Sequence, residues 1–383
     1  MLTSDTMVSF FYFFLSVTTA FLALHTRNVS VRLALFTLIA YWTSQCLRLL
    51  STVSGSPDFV NLYGMTVIMF TLHMGCCLLL EFHQLPGKGI NFERAMAACH
   101  MLFNGRYIGT SREVPGLRRH IQHRRLSKAL GGWPTANSPR WTFVMDRILT
   151  LIIIFIAKQA IKELLFSSHQ YLFSPLRSSD ILPSKQILFR RLSNISPREL
   201  VIRAGLVLYH NWFSWSEYTF WYNTLAMFFV GAGLSTPNDW PSLFGSVFQA
   251  YSLRRYWSRF WHRLAYRTYV GYSKLAAKIL RIGPDSALYS VWISLFVFLL
   301  SGAVHAVVLA SSGYVCGYWE EIHWFLLNFA GILVEQVVCH MAGEVMTNSR
   351  YAKVIGFAWV FMFQFWSLPR VQFPKSSLRC IPL

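Results

Sequence analysis

His305 stands inside an apolar run, residues 295–309. An ionisable side chain costs free energy in hydrocarbon and usually faces a cavity or a polar partner. With an unperturbed pKa near neutrality, a histidine in a water-poor chamber can take a proton from a hydroxyl and so act as general base. A neutral histidine hydrogen-bonded between two helices would give the same pattern, and the run alone leaves both readings open. Gly302 and Ala303, just before it, would let another helix or a substrate approach closely.

A second concentration of chemistry lies upstream, in Ser235-Thr-Pro-Asn-Asp-Trp-Pro-Ser-Leu-Phe-Gly245 and Leu253-Arg-Arg-Tyr-Trp-Ser-Arg-Phe-Trp-His-Arg263. Pro237 and Pro241 predict a turn, and Asp239 or Ser242 would cap a helix that follows it. In that helix Arg255, Arg259, Arg263 and Arg267 recur every fourth residue as one basic stripe. Tyr256 with Phe260, and Trp257 with Trp261, form an aromatic stripe beside it. Such a helix would lie along the cytosolic face of a bilayer, its aromatics at headgroup depth and its guanidiniums toward phosphates. An interfacial anchor with a solvated charged face would read the same way.

Other polar residues carry weaker expectations. Glu217, Lys158, Lys162, Glu163 and Asp146 lie in or near apolar spans and are expected to pair with one another or to snorkel. Glu335, Gln336 and His340 are candidates to line an acceptor cavity. His120-x-x-His123 has a metal-like spacing, but Arg118, Arg119, Arg124 and Arg125 around it disfavour a cation. The chain contains no HExxH, GxSxG or phosphate-binding glycine loop, which leaves metalloprotease, serine hydrolase and nucleotide hydrolase readings without support. Seven cysteines, odd in number and never spaced as CxxC, argue against a zinc site or a disulfide framework.

These residues need elements to hold them, and composition says of what kind. Hydrophobic residues make up 54% of the 383 and charged residues only 13%, so most of the chain has no polar face to offer water. About 20 helical residues cross a hydrocarbon core of roughly 30 Å. Runs near that length fall at 7–24, 31–50, 60–82, 143–166, 201–233, 287–311, 318–341 and 354–373, which predicts an all-α polytopic bundle of about eight spans. Asp5 precedes the first run, and Arg27 and Arg32 follow it, the wrong order for a cleaved leader, so that run is read as a retained helix. The chain is expected to be a single membrane-embedded domain, 1–383. Its parts are amino-terminal helices (1–82), a basic loop (83–142) and a core (143–383).

Net charge is +19, but the cations sit mainly in loops, where they set topology or meet headgroups and anionic ligands rather than nucleic acid. By the positive-inside rule the 83–142 loop and the region 234–286 are cytosolic. The loop 167–200, with Arg177, Lys185, Arg190, Arg191 and Arg198, and the carboxyl tail, with Arg370, Lys375 and Arg379, fit that rule less well as lumenal segments. Counted this way, the sixth span starts at the cytosolic surface near Ala287 and His305 lies about 27 Å along it.

Asn238-Asp-Trp-Pro-x-Leu-Phe-Gly, then Leu253-Arg-x-x-Trp-x-x-x-Trp-His262, then a lone intramembrane histidine some forty residues on, resembles the wax synthase-like branch of the membrane-bound O-acyltransferases. That branch includes plant wax ester synthases and fungal acetyltransferases of terpenoid and meroterpenoid pathways. The likeness is densest over 236–310 and extends weakly upstream, where Arg106-Tyr-Ile-Gly-Thr110 resembles the family's Arg-Gly-Ile-Gly element, and downstream to Glu335. In the sterol and diacylglycerol branch a Phe-Tyr-x-Asp-Trp-Trp-Asn element occupies this place; here Arg259 replaces its Asp and His262 its Asn.

The resemblance implies acyl transfer from acyl-coenzyme A to a lipophilic alcohol, with no metal, no covalent acyl-enzyme, and His305 as general base. It implies that His262 orients the donor or polarises its carbonyl. Asn238, Asp239, Trp257, Trp261, Arg255, Arg259 and Arg263 would be donor-site residues, Asn238 and Asp239 serving structure or the donor rather than proton transfer. Acetyl is favoured over a long acyl chain, with a long-chain wax ester synthase as the alternative, and the endoplasmic reticulum is the expected membrane. A transporter with His305 lining its path is the rival from another class, and a non-catalytic scaffold with structural histidines is the second.

Overall fold

The computed structural model describes residues 3–87, 89, 91–116, 139–166, 177–347 and 350–376. His120 and His123, their basic neighbours and Cys380 lie outside the described residues. Among the described residues every regular element is helical. In chain order these are α1 (Ser4–His25), α2 (Val29–Arg48), α3 (Pro57–Gly75, continued by a π turn Cys76–Leu80), α4 (Phe92–Leu102), α5 (Pro139–Phe166) and α6 (Pro197–Gly231). Then follow α7 (Leu253–Arg255, continued by a π turn Tyr256–Phe260), α8 (Tyr266–Ile279), α9 (Ala287–Ser311), α10 (Tyr318–Thr347), α11 (Arg350–Ser367) and α12 (Pro369–Ser376), with short 3-10 turns between them.

The starts of these helices follow from local chemistry. The side chains of Thr3, Asn28, Ser56 and Ser196 each accept a bond from a backbone N–H three residues on, which satisfies one of the orphan donors of a first turn. Pro57 and Pro197 follow two of these caps, where a missing N–H costs nothing.

Each of the eight expected spans coincides with a helix. Five of them (Ser4–His25, Pro57–Leu80, Ala287–Ser311, Tyr318–Gly343 and Arg350–Lys375) are long and apolar enough to cross a membrane by length and composition alone. The other three, α2, α5 and α6, run 20, 28 and 35 residues but carry more polar groups. Several of those groups are partnered. Arg32 of α2 is 2% exposed and donates to the carbonyls of Thr26 (2.8 Å), Leu78 (3.3 Å) and His83 (2.7 Å), closing the carbonyl end of α3. Arg147 of α5 donates to Asn223 Oδ1 of α6 at 2.8 Å. Lys158 of α5 pairs with Glu217 of α6, as charges inside a span should.

The chain makes two compact sets of helices, interleaved in sequence. One is Met1–Glu113 with Leu264–Leu333 and Arg370–Leu383; the other is Val114–Arg263 with Val334–Pro369. The core of the first joins residues of α1, α2 and α3 to Val304 and Val308 of α9. The core of the second includes Phe143 of α5 against Ala226 and Val230 of α6.

The basic 177–200 segment, awkward for a lumenal loop, has Lys185, Arg191 and Arg198 bound into structure. Arg198 grips Asp180 through Nη2 at 2.6 Å and Nε at 3.1 Å, and Lys185 lies 3.9 Å from the same carboxylate. These bonds hold the Asp180 carboxyl below the usual carboxylate range, the Arg198 contact being the largest cause. Arg191 and Arg203 share the buried Glu199.

Cys316 is disulfide-bonded, which spacing in sequence does not reveal, since it says nothing about which thiols distant segments bring together. Among the described residues Cys46, Cys76, Cys77, Cys99 and Cys339 are free.

Candidate active site

Helix α9 presents His305 where it packs on α10. A Cβ built on Gly302 would lie 2.9 Å from Ile322 Cα and 3.3 Å from Phe325 Cβ, so the glycine is what lets the two backbones close. One turn further on, the half-buried His305 ring meets the Phe325 ring at 5.0 Å between centroids. Glu321, one turn before Phe325, is 4% exposed and pairs with Lys375 of α12. Both of these charges act on the His305 ring. His305 thus has an aromatic neighbour and a buried ion pair around it. Sequence reading missed Glu321 and Lys375. An acid in the first turn of a helix is ordinarily a partner of the helix dipole, and 54 residues separate the two.

The 235–263 segment belongs to the other set of helices and is built from the turn onward. Asp239 Oδ2 accepts from Thr236 N (2.7 Å) and Thr236 Oγ1 (2.8 Å), closing the 3-10 turn at Pro237. Asp239 is therefore a structural cap, and Asn238 beside it is exposed. Trp240 Nε1 donates to Ser235 Oγ at 2.8 Å, its ring lies 5.2 Å from Tyr222, and Tyr222 Oη donates to the Pro241 carbonyl at 2.6 Å. No helix begins at Ser242; the cap of the next helix is Ser252, whose Oγ accepts from Arg255 N at 3.1 Å.

Gly245 N donates to the Phe260 carbonyl at 2.8 Å, and a Cβ on Gly245 would lie 1.8 Å from the Arg259 carbonyl oxygen. Only glycine fits against that backbone. Gly245→Ala is expected to cost at least the ~1–3 kcal/mol of an overpacked core, read as a lower heat-inactivation temperature of the purified protein. An unchanged temperature would show that the 245–260 contact does not form.

The continuous 253–267 helix with one basic stripe does not exist. One turn of α-helix widens into the π turn at Tyr256–Phe260. The chain then leaves the helix at Trp261, whose ψ is 153°, and resumes at Tyr266. A residue added per turn rotates every following side chain, so the fourfold arginine spacing no longer marks one face. Arg255 Nη2 donates to Gln249 and its guanidinium lies over the Tyr251 ring at 4.6 Å. Arg259 is exposed. Arg263 donates to the carbonyls of Pro115 (2.6 Å) and Gly116 (3.0 Å), and Arg267 to that of Glu113 (3.4 Å).

The aromatic pairs do form. Trp257 and Trp261 meet at 5.8 Å and Tyr256 and Phe260 at 5.4 Å. His262 is half-buried among Tyr218 (4.7 Å), Trp261 (5.5 Å) and Phe244 (5.7 Å). Trp257, Trp261 and His262 are thus brought into one aromatic cluster, whereas Asn238, Arg255 and Arg263 have partners or positions elsewhere in the segment. Gln336 and His340 are exposed. Among the described residues no group of three His, Cys, Asp or Glu is arranged to hold a metal ion.

Comparison with known proteins adds four matches. The membrane bound O-acyl transferase family model matches residues 240–327, a stretch containing His262 and His305. The chain is 26% identical over 296 residues to acetyltransferase ataH of Aspergillus terreus, covering 73% of this chain and 88% of that protein. It is 24% identical over 249 residues to acetyltransferase eriL of Hericium erinaceus (63% and 59%), and 30% identical over 191 residues to acetyltransferase atnC of Arthrinium sp (48% and 43%). For the second and third, the match spans about half the relative's length. Family model and relatives agree with the resemblance carried by the motifs, and they support a membrane-bound O-acyltransferase enzyme.

Proposed function

We propose that this chain, an O-acyltransferase by its likeness to that membrane-bound family, moves an acetyl group from acetyl-coenzyme A to the hydroxyl of a lipophilic small molecule such as a terpenoid alcohol. One observation carries the reading. The family match spans both the Trp257/Trp261/His262 cluster and His305, a histidine set in an apolar stretch of the spanning helix α9. Relatives named acetyltransferases favour acetyl over a long acyl chain.

In this mechanism His305 takes the proton of the acceptor hydroxyl as its oxygen attacks the thioester carbonyl. The carbon–sulfur bond then breaks, coenzyme A leaves as its thiolate, and the proton held on His305 returns to that sulfur. An alcohol is a poor nucleophile until its proton is taken, and the general base removes that cost in the transition state. Positioning in a water-poor chamber favours the alcohol over hydrolysis. His262, within its aromatic cluster, orients the donor or polarises its carbonyl. The enzyme acts as one membrane-embedded acyltransferase, in the endoplasmic reticulum.

Arg259 is the donor-side cation best suited to a test, because it is exposed whereas Arg255 is bonded to Gln249 and Arg263 to the Pro115 carbonyl. Arg259→Glu is expected to raise KM for acetyl-coenzyme A by about tenfold, the size of one lost charge-assisted contact, with KM for the alcohol unchanged. Equal rises in both constants would make this arginine a membrane anchor. Absence of coenzyme A binding to the wild-type protein would favour a transporter.

A further inference from the structure

We infer that Glu335, a carboxylate from the middle of α10, is the residue that aims the Trp257/Trp261/His262 cluster, by capping the helix that carries it. The first four N–H groups of any helix lack partners inside it. Leu253 N donates to Glu335 Oε2 at 2.6 Å, Arg254 N to Glu335 Oε1 at 3.3 Å and Arg255 N to Ser252 Oγ at 3.1 Å, while Tyr256 N makes the first bond inside the helix, to the Ser252 carbonyl. Two of these three caps are therefore supplied by a residue some 80 positions away.

An eight-residue helix that widens into a π turn after one α turn cannot hold its own direction; what fixes it must come from its neighbours. Glu335 does this with a charge at the positive end of the helix, in charge-assisted bonds. Its Oε2 also accepts from Trp359 Nε1 of α11 at 3.1 Å, which ties the cap to a second helix. Helix α11 grips the preceding turn as well, since a Cβ on Gly356 would fall 2.0 Å from the Tyr251 carbonyl oxygen.

Beyond the cap, Tyr256 Oη donates to Asn211 Oδ1 at 2.6 Å, and Asn211 Nδ2 donates to Gln364 Oε1 of α11 at 2.6 Å. Burial pushes the Tyr256 phenol well above its ordinary value, so it remains a donor there. Two polar clamps a turn apart, both reaching α11, fix the helix in direction and rotation. Trp257, Trp261 and His262 follow from that frame. The cost of a carboxylate at this depth is offset by the three donors it satisfies.

The inference rests on the proposed acyl transfer only for what the cluster does, and the experiment separates the two. Glu335→Ala and Glu335→Gln are made in the full-length chain, purified in detergent. Amide hydrogen exchange is read by peptide, and KM and kcat are read with acetyl-coenzyme A. In the alanine variant, exchange across 253–260 is expected to speed up about tenfold, the loss expected for a helix cap, with α5 and α6 unchanged. KM for acetyl-coenzyme A should rise by a similar factor while KM for the alcohol holds. Glutamine, which keeps one acceptor oxygen, should recover part of both.

Unchanged exchange at 253–260 overturns the cap whatever the enzyme transfers. Faster exchange with unaltered KM and kcat overturns the aiming role. A wild-type protein that moves no acetyl group defeats the proposed function, while the exchange arm still decides the clamp.

Discussion

His305→Ala is expected to lower acetyl transfer by about 10²–10⁴-fold, the range for loss of a general base, while leaving expression and donor binding nearly intact. The substitution removes a half-buried ring from beside Phe325 and leaves Gly302, which sets the α9–α10 approach, untouched. A large loss of turnover with unchanged binding of coenzyme A is therefore a chemical effect rather than a packing one. If the alanine variant turns over at a near-normal rate, another group takes the proton and His305 is a structural histidine between helices.

The second large effect falls on stability. Glu199 and Arg203 form an ion pair at 3.1 Å, one helical turn apart on α6, with side chains only 2% and 0% exposed. Arg203 donates further to the carbonyls of Lys185 and Phe365, so it cannot swing out to solvent when its partner is lost. Glu199→Ala strands a buried guanidinium and should cost about 3–5 kcal/mol, read as a fall in the unfolding midpoint of the detergent-purified protein. Adding Arg203→Met removes the stranded charge and should recover much of the loss. Acetyl transfer per folded molecule should stay at the wild-type value in the double variant, because neither residue belongs to the donor or base region. A loss below about 1 kcal/mol in the single variant would mean that water reaches this pair as it reaches a surface salt bridge.

The spans were legible because a lipid-facing helix must be apolar over its whole length, and that constraint is written in consecutive residues. The pairing of Lys158 with Glu217 was legible for a related reason, since a charge inside a span has few alternatives to a partner. The shape of the motif segment was not legible. Arginines at 255, 259, 263 and 267 fit α-helical spacing well, and nothing local announces a π turn at Tyr256–Phe260 or an exit at Trp261. Those features depend on the Gly245 backbone contact and on acceptors from α6 and α10, which are tertiary. Asp239 was read as a helix cap and does cap a turn, but of three residues rather than of the motif helix. Glu321, Lys375 and the bonded Cys316 escaped for one shared reason. Each acquires its meaning from a segment far away in sequence.

The most direct measurement gives membranes containing the protein acetyl-coenzyme A labelled in the acetyl group, together with a panel of terpenoid alcohols, and follows the label into organic solvent. The account predicts an alkali-labile acetate ester of at least one alcohol, formed in step with free coenzyme A and absent with His305→Ala. Label that stays on coenzyme A with every alcohol, from a purified protein that acetyl-coenzyme A also fails to protect against heat, would contradict it.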